Sequence, residues 1–131
     1  MYLVDTNIFL EALLEQERTE EVKKLLKTKP LDDFYITDFS LHSIGVILFR
    51  LKQSELYNSF IEDLILDGIG ILTLRNSELL QISEIVVRYN LDFDDAYQYV
   101  SAKKYDLQFL SFDKDFDKTD IKRKEPIDIL D

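Results

Sequence analysis

Short apolar runs alternate along the chain with longer stretches in which apolar residues recur at helical spacing. The first run, residues 2–4, is followed at once by Asp5 and by an amphipathic segment that begins at Ile8. This alternation is typical of βαβ units, in which parallel strands form a sheet covered by helices on both faces. The apolar runs predict five strands, at residues 2–4, 34–37, 69–74, 108–111 and 127–130.

The stretches between these runs predict the helices. Apolar residues three or four positions apart give each stretch one apolar stripe that can pack on a sheet. The stretches lie at residues 22–26, 41–51, 56–64, 79–89 and 93–100. Because the chain has only three glycines, two prolines and no internal repeat, we expect residues 1–131 to form one domain. The predicted class is α/β, with a central parallel sheet of four to five strands.

Composition narrows the chemistry that the chain can perform. It has no cysteine and a single histidine, His42, which excludes disulfides, thiolate metal sites and sites built on several imidazoles. Any metal site must therefore use oxygen ligands. No apolar run approaches the roughly 20 residues of a membrane-spanning helix, and no basic region precedes a cleavable apolar segment. We expect a protein that stays in the cytoplasm and does not bind membranes.

The net charge changes which nucleic-acid functions remain open. A formal net charge of −10 repels nucleic acid at long range, which argues against a protein that simply coats it. The same charge does not argue against an enzyme whose acids surround divalent cations, because bound ions reverse the local field that a phosphate meets.

Acidic residues occur at three places that this architecture brings together. Asp5 follows the first strand, Asp94 and Asp95 lie in the first turn of a helix, and Asp113 follows a later strand. The carboxyl ends of parallel strands and the helix starts beside them share one edge of a sheet, so these carboxylates should converge. Crowded carboxylates favour a hard cation, Mg²⁺ or Mn²⁺. That arrangement suits hydrolysis of a phosphodiester.

Each acid also has a structural explanation. Asp5 could cap the helix that follows it, and Asp92 with Asp95 has the spacing of a capping box. Asp113, in a run shared with Asp115 and Asp117, could be a turn residue on a solvated loop. Each acid alone fits a structural role, but the occurrence of all three, in this order along the chain, favours a metal site.

The same residues resemble a known family, the PIN-domain nucleases, and in particular the VapC-like toxins of toxin–antitoxin pairs. The motifs that carry the resemblance are VDTN at the start, DFDDAYQYVSAKKYD in the last third and LSFDKDF after it. The resemblance implies a three-layer α/β/α fold with Asp5, Asp95 and Asp113 as metal-binding, catalytic acids. Asn7 and Ser111 match polar positions that orient the pocket. Asp94 and Asp115 are adjacent acids that can contribute.

The resemblance further implies a metal-dependent endoribonuclease that uses Mg²⁺ or Mn²⁺ to hydrolyse RNA, with a small antitoxin protein as partner and a homodimer as assembly. One departure matters. The family places a Glu early in the helix after the second strand, and this chain has Ser43 there. Ser43 is expected to line the pocket as a polar residue, and Asp38 is the candidate replacement carboxylate.

Two other classes of function stay open. A PIN domain that has lost part of its acid set could be catalytically weakened or inactive and act as a binding or scaffold module. Phosphatases and phosphoacceptor domains also place an Asp after the first strand. The phosphatases need a second Asp where this chain has Asn7, and the phosphoacceptor domains need an acidic pair before their first helix, so we rank both below the nuclease.

Overall fold

The computed structural model describes residues 1–130. A four-stranded sheet runs through its centre, and all neighbouring strands are parallel, in the order β3-β2-β1-β4. The strands are Tyr2–Val4 (β1), Phe34–Thr37 (β2), Gly70–Leu72 (β3) and Gln108–Leu110 (β4). The helices are Thr6–Leu13 (α1), Thr19–Thr28 (α2), Asp38–Arg50 (α3), Ser54–Phe60 (α4), Asn76–Tyr89 (α5), Phe93–Lys104 (α6) and Pro126–Ile129 (α7).

Alternate residues of each strand point to opposite faces of the sheet, and helices cover both faces. Val4 and Leu110 belong to an apolar core shared with α1, α2 and α3, in which Ile8, Leu25 and Ile44 are buried. Leu3 and Phe109 face the other way and pack with Ala102 of α6 and with Phe116. The predicted α/β fold with helices on both faces is confirmed.

Helix α6 is the most deeply placed helix, because it lies between the sheet and α5. Its residues from Ala96 to Ala102 are all buried, and its outer face packs against Ile82 and Ile85 of α5. A helix held on two sides cannot tilt freely, so the position of its first turn relative to the strand ends is fixed.

The predicted fifth strand, at residues 127–130, is wrong. Residues 127–129 lie in the short helix α7, which Leu130 ends, and Pro126 occupies the first turn, where its missing N–H costs nothing. Glu125 and Asp128 form a capping box around that turn. Lys124 pairs with Leu110 instead, so a single bridge takes the place of the expected strand at the β4 edge.

The third strand is shorter than the predicted 69–74. Residues 73 and 74 bond to side chains of the α6 region rather than to β2: the Leu74 amide donates to the Tyr97 hydroxyl at 3.2 Å, and Tyr105 donates to the Thr73 carbonyl at 3.2 Å. A π-helical segment, Ile61–Ile65, directly follows α4 and continues its course. Within residues 1–130, no helix is both long and apolar enough to span a bilayer.

Candidate metal site at the carboxyl ends of the strands

Asp5 lies directly after β1 and is almost fully buried, with 5% of its surface exposed. Its side chain makes no capping hydrogen bond to α1. Both carboxylate oxygens point to other elements: Oδ1 accepts from Gln98 Nε2 at 2.7 Å, and Oδ2 accepts from Ser111 Oγ at 2.6 Å. Asp5 therefore links the end of β1 to α6 and to the end of β4.

The loop after β4 brings two more acids to the same edge. Ser111 Oγ, which donates to Asp5, also accepts from the Asp113 amide at 2.9 Å. The Asp113 side chain in turn accepts from the Asp115 amide at 2.9 Å. Asn7 contributes from α1, since its Oδ1 accepts from the Phe112 amide at 3.4 Å. These bonds shape the loop so that Asp113 and Asp115 lie on one side.

The third group of acids begins α6. Asp92 is the N-cap residue, and its carboxylate accepts from the Asp95 amide at 3.0 Å. Asp92 thus caps α6, which is one half of the predicted capping box. Asp95 is half-buried at the mouth of the same region and Asp94 is exposed beside it. Acids in a first turn are favoured by the helix dipole, so capping and the gathering of carboxylates occur together here.

These elements enclose a cavity of about 480 Å³, the carboxylate cavity. Its lining includes five predicted acids, Asp5, Asp94, Asp95, Asp113 and Asp115, and the polar residues Asn7 and Ser43. Ser111 lies buried beneath it, bonded to Asp5. Carboxylate oxygens of Asp95, Asp113 and Asp115 all lie within 4.8 Å of one another. We call these three residues the acid cluster.

Charge crowding in the cavity is reflected in the pKa values of its acids. Burial raises the pKa of Asp5, against the lowering effect of the hydrogen bonds from Ser111 and Gln98. Burial, together with the charges of Asp92, Asp5 and Asp113, raises the pKa of Asp95 to about 7. A divalent cation would relieve this repulsion, and a set of oxygen donors fits Mg²⁺ or Mn²⁺.

Asp38, the candidate replacement for the missing Glu, lies outside the carboxylate cavity. Its Oδ1 accepts from the Tyr97 hydroxyl at 2.8 Å, and it lines a neighbouring groove with Leu41 and Phe49, beyond Val46, which lines both the groove and the cavity. Ser43 does line the carboxylate cavity. Because Asp38 is the sole acid in α3, that helix supplies no carboxylate to the cavity within residues 1–130.

Sequence reasoning missed Gln98 as a site residue. It is buried, donates to Asp5 and accepts from Ser40 Oγ at 3.3 Å. One pattern could have found it: Gln98 lies three positions after Asp95, on the same helix face, in an otherwise apolar stretch. Asp92 was recognised as a cap, but its place in the cavity lining was not predicted.

The fold and the site together define an α/β protein that gathers acids at the carboxyl ends of parallel strands. A family model described as the PIN domain matches residues 2–122. The chain belongs to the PIN domain family, whose members are in general nucleases that use divalent metals. No curated protein matches the chain in sequence.

Solved structures support the same fold. The VapC20 toxin of Mycobacterium tuberculosis, described as cleaving the sarcin-ricin loop, has a TM-score of 0.81 at 19% identity and covers 96% of this chain and 100% of its own. A toxin–antitoxin complex from Klebsiella pneumoniae has a TM-score of 0.71 at 20% identity, covering 88% and 90%. FitAcB from Neisseria gonorrhoeae has a TM-score of 0.74 at 22% identity, covering 97% and 99%.

Proposed function

We propose that this chain is a metal-dependent endoribonuclease and the toxin of a toxin–antitoxin pair. The observation that carries the proposal is the acid cluster, Asp95, Asp113 and Asp115, beside the buried carboxylate of Asp5. Carboxylates so close together are electrostatically unfavourable unless a cation lies between them. RNA is the proposed substrate because the sequence motifs resemble those of the VapC-like ribonuclease toxins, and VapC20, which shares this fold, is described as a toxin that cleaves the sarcin-ricin loop.

Asp95, Asp113 and Asp115 would hold Mg²⁺ or Mn²⁺, directly or through waters, and Asp5 would lie behind them. When bound, the metal supplies polarisation of the phosphoryl oxygen and a lowered pKa for bound water. Ser111 and Gln98 fix both oxygens of Asp5, so its carboxyl group stays at the base of the cavity. Hydrolysis would add the water oxygen to phosphorus and break the P–O3′ bond. The leaving 3′ oxygen takes a proton, and the products carry a 5′-phosphate and a 3′-hydroxyl.

Cleavage of an RNA oligonucleotide with and without Mn²⁺ tests this proposal. Asp5→Asn and Asp113→Asn each keep the side-chain shape and remove one charge, so both variants should lose Mn²⁺-dependent cleavage. Asp67→Asn is the matched control, because Asp67 is exposed in a turn and does not line the cavity. Unchanged cleavage by both cavity variants would exclude the proposed site.

A second candidate is favoured by Ser43. Because α3 brings a hydroxyl rather than a carboxylate to the cavity, the chain could bind partners or RNA without cutting them. The melting temperature measured as Mn²⁺ is added distinguishes the nuclease from the binding protein. A nuclease site should raise the melting temperature as Mn²⁺ is added, since a ligand that binds only the folded state stabilises it. A degenerate site should not respond.

We extend the proposal to an antitoxin partner, because the Klebsiella pneumoniae structure of this fold is a toxin–antitoxin complex. Expression of the chain in bacteria should arrest growth, and Asp113→Asn should not. We expect a small antitoxin protein to be encoded beside its gene, and co-expression of that protein should restore growth. Growth arrest by Asp113→Asn equal to that by the unaltered chain would contradict a toxin that acts by cleavage.

A further inference from the structure

The segment that carries two members of the acid cluster lies between β4 and the C-terminal region. We call residues 111–117 the acidic loop, because it contains Asp113, Asp115 and Asp117. On the side of the carboxylate cavity, the loop is held by a hydrogen bond from the Phe112 amide to Asn7, which lines the cavity, and by one from the Asp113 amide to Ser111, which lies beneath it. Its three acids repel one another and repel Asp95, so contacts on the opposite side are needed to keep the loop against the cavity.

Arg123 makes those contacts. Its Nη1 donates to the Ser111 carbonyl at 3.1 Å, next to the hydroxyl that binds Asp5. At the far end of the acidic loop, Nε and Nη2 donate to the two carboxylate oxygens of Asp117, at 2.9 and 3.3 Å. One guanidinium therefore joins the first and last residues of the loop. The planar fork of arginine allows this, and the single ammonium of lysine does not.

Arg123 is itself firmly placed. Its side chain is only 11% exposed. Its neighbour Lys124 forms two backbone hydrogen bonds with the end of β4: the Lys124 amide donates to the Phe109 carbonyl at 2.8 Å, and the Ser111 amide donates to the Lys124 carbonyl at 3.0 Å. The backbone directly after the arginine is thus fixed to the end of β4.

A second arginine supports the first. Glu125 accepts from Arg123 Nη1 at 2.9 Å and from Arg18 Nη2 at 2.8 Å. The Arg18 guanidinium also lies 4.1 Å from the centre of the Phe112 ring, a cation–π contact with the acidic loop. Neither arginine lines the carboxylate cavity. Both arginines therefore influence the cavity indirectly, through the backbone and side chains of the acidic loop.

We propose that Arg123 is a positioning residue for the carboxylate cavity: it holds the acidic loop so that Asp113 and Asp115 face Asp95, and thereby sets the affinity for a divalent cation. The inference rests on the proposed function in one respect, namely that the carboxylate cavity binds a divalent cation. The positioning itself is a property of the metal-free chain and can be measured separately.

Arg123→Gln and Arg123→Lys test the proposal, with Arg88→Gln as the matched control, since Arg88 is an exposed arginine of α5 paired with Glu84 and remote from the cavity. Free Mn²⁺, measured by electron paramagnetic resonance, gives the affinity. We expect Arg123→Gln to weaken Mn²⁺ binding about 10-fold, the usual effect of losing a residue that orients a ligand, and Arg123→Lys to weaken it less. RNA cleavage by Arg123→Gln should approach that of the unaltered chain at saturating Mn²⁺.

Amide hydrogen exchange without metal is the second measurement. Arg123→Gln should speed exchange in residues 111–117 and leave residues 93–104 unchanged, which also shows that the variant folds. Asp117→Asn should produce the same local change without altering the arginine.

The inference is overturned if Mn²⁺ affinity in Arg123→Gln equals that in Arg88→Gln, or if exchange in the acidic loop stays unchanged. Failure of the unaltered chain to bind Mn²⁺ would overturn the proposed function instead, and the exchange data would then decide the positioning role.

Discussion

Ser43 lines the carboxylate cavity from α3, at a position where a carboxylate would add a seventh acid to the six aspartates of the lining. The hydroxyl leaves the cavity with less negative charge, and α3 has no other acid that reaches it. The single acidic residue of that helix, Asp38, accepts a hydrogen bond from Tyr97 and lines a neighbouring groove. The contribution of α3 to cation binding is therefore open to a direct test by substitution.

Ser43→Glu should strengthen Mn²⁺ binding by about 10-fold, because a fourth oxygen ligand of opposite charge joins the acid cluster. The measurement is the Mn²⁺ affinity of the purified variant, with Ser54→Glu as the control, since Ser54 is exposed at the start of α4. Equal affinity in the two variants would show that position 43 does not face the cation.

Ser111 serves two partners at once, Asp5 and the Asp113 amide. Ser111→Ala leaves a buried carboxylate oxygen without a partner, which should lower the free energy of unfolding by about 1–3 kcal/mol. Urea denaturation of the metal-free protein measures the change. Ser83→Ala removes an exposed hydroxyl that bonds only to the Leu80 carbonyl, and a loss of similar size there would contradict a special role for Ser111.

At the scale of elements, Asp92 combines two opposing effects. Its carboxylate caps α6, which is stabilising, and its charge raises the pKa of Asp95, which disfavours the ionised form of that neighbour. Asparagine can cap a helix without the charge. The two effects can therefore be separated by comparing two substitutions at one position.

Asp92→Ala should lower the free energy of unfolding by about 0.5–2 kcal/mol through loss of the cap, whereas Asp92→Asn should be the more stable of the two. Asp92→Asn should also lower the pKa of Asp95, followed by NMR of the side-chain carboxyl carbon. A pKa unchanged in Asp92→Asn would show that the charge of Asp92 is screened from Asp95.

Most elements could be predicted from the sequence, because strands and helices buried against each other keep a clear period of 2 or 3.6 residues. The segment 127–130 could not, since four residues of which three are apolar fit a strand or a helical turn equally, and the capping box of Glu125 and Asp128 decides for the helix. The end of β3 was also missed, because it depends on hydrogen bonds from Tyr97 and Tyr105, distant in the chain.

For the site, the sequence indicated which acids lie at the same edge of the sheet, but not which of their carboxylates lie closest to one another. Asp5, Asp95 and Asp113 were grouped by order along the chain, whereas in the structure Asp115 joins Asp95 and Asp113 in the acid cluster, and Asp5 is bonded behind them. Which carboxylates approach within 4.8 Å depends on the turn after Ser111. Turn geometry of this kind follows from tertiary contacts such as those of Arg123, which no local pattern reveals.

At the scale of the whole molecule, the raised pKa of Asp95 couples stability to pH. In the unfolded chain this acid titrates near 3.8, and in the folded protein near 7. The stability it contributes is fully present below pH 3.8 and is lost as the pH rises through 7, because the folded state holds the proton longer. Other acids in the chain, such as Glu125, have a lowered pKa and oppose this trend.

Comparison of the unaltered chain with Asp95→Asn isolates the part of the pH dependence of stability that comes from Asp95. Without metal, the stability of Asp95→Asn relative to the unaltered chain should increase as the pH rises from 4 to 8, measured by urea denaturation at each pH. Mn²⁺ should reverse the order at pH 8, since the variant loses a ligand. A difference that stays constant with pH would show that Asp95 ionises normally.

The prediction of a single domain is also a property of the whole molecule. We expect residues 1–131 to unfold in one cooperative transition, because the sheet places residues from both ends of the chain side by side. Scanning calorimetry and circular dichroism should give the same midpoint. Two separated transitions would contradict a single cooperative unit.

The parallel order β3-β2-β1-β4 has a consequence for synthesis. Val4 pairs with Leu110, and Leu110 is bridged by Lys124, so the first strand meets its last neighbour only after nearly the whole chain has been made. A chain that is truncated before residue 111, for example by translation of a damaged mRNA, would contain Asp5 and α1 but not the acidic loop or Arg123. Such fragments lack two of the three residues of the acid cluster, so they would not form the group of carboxylates that we propose to hold the cation.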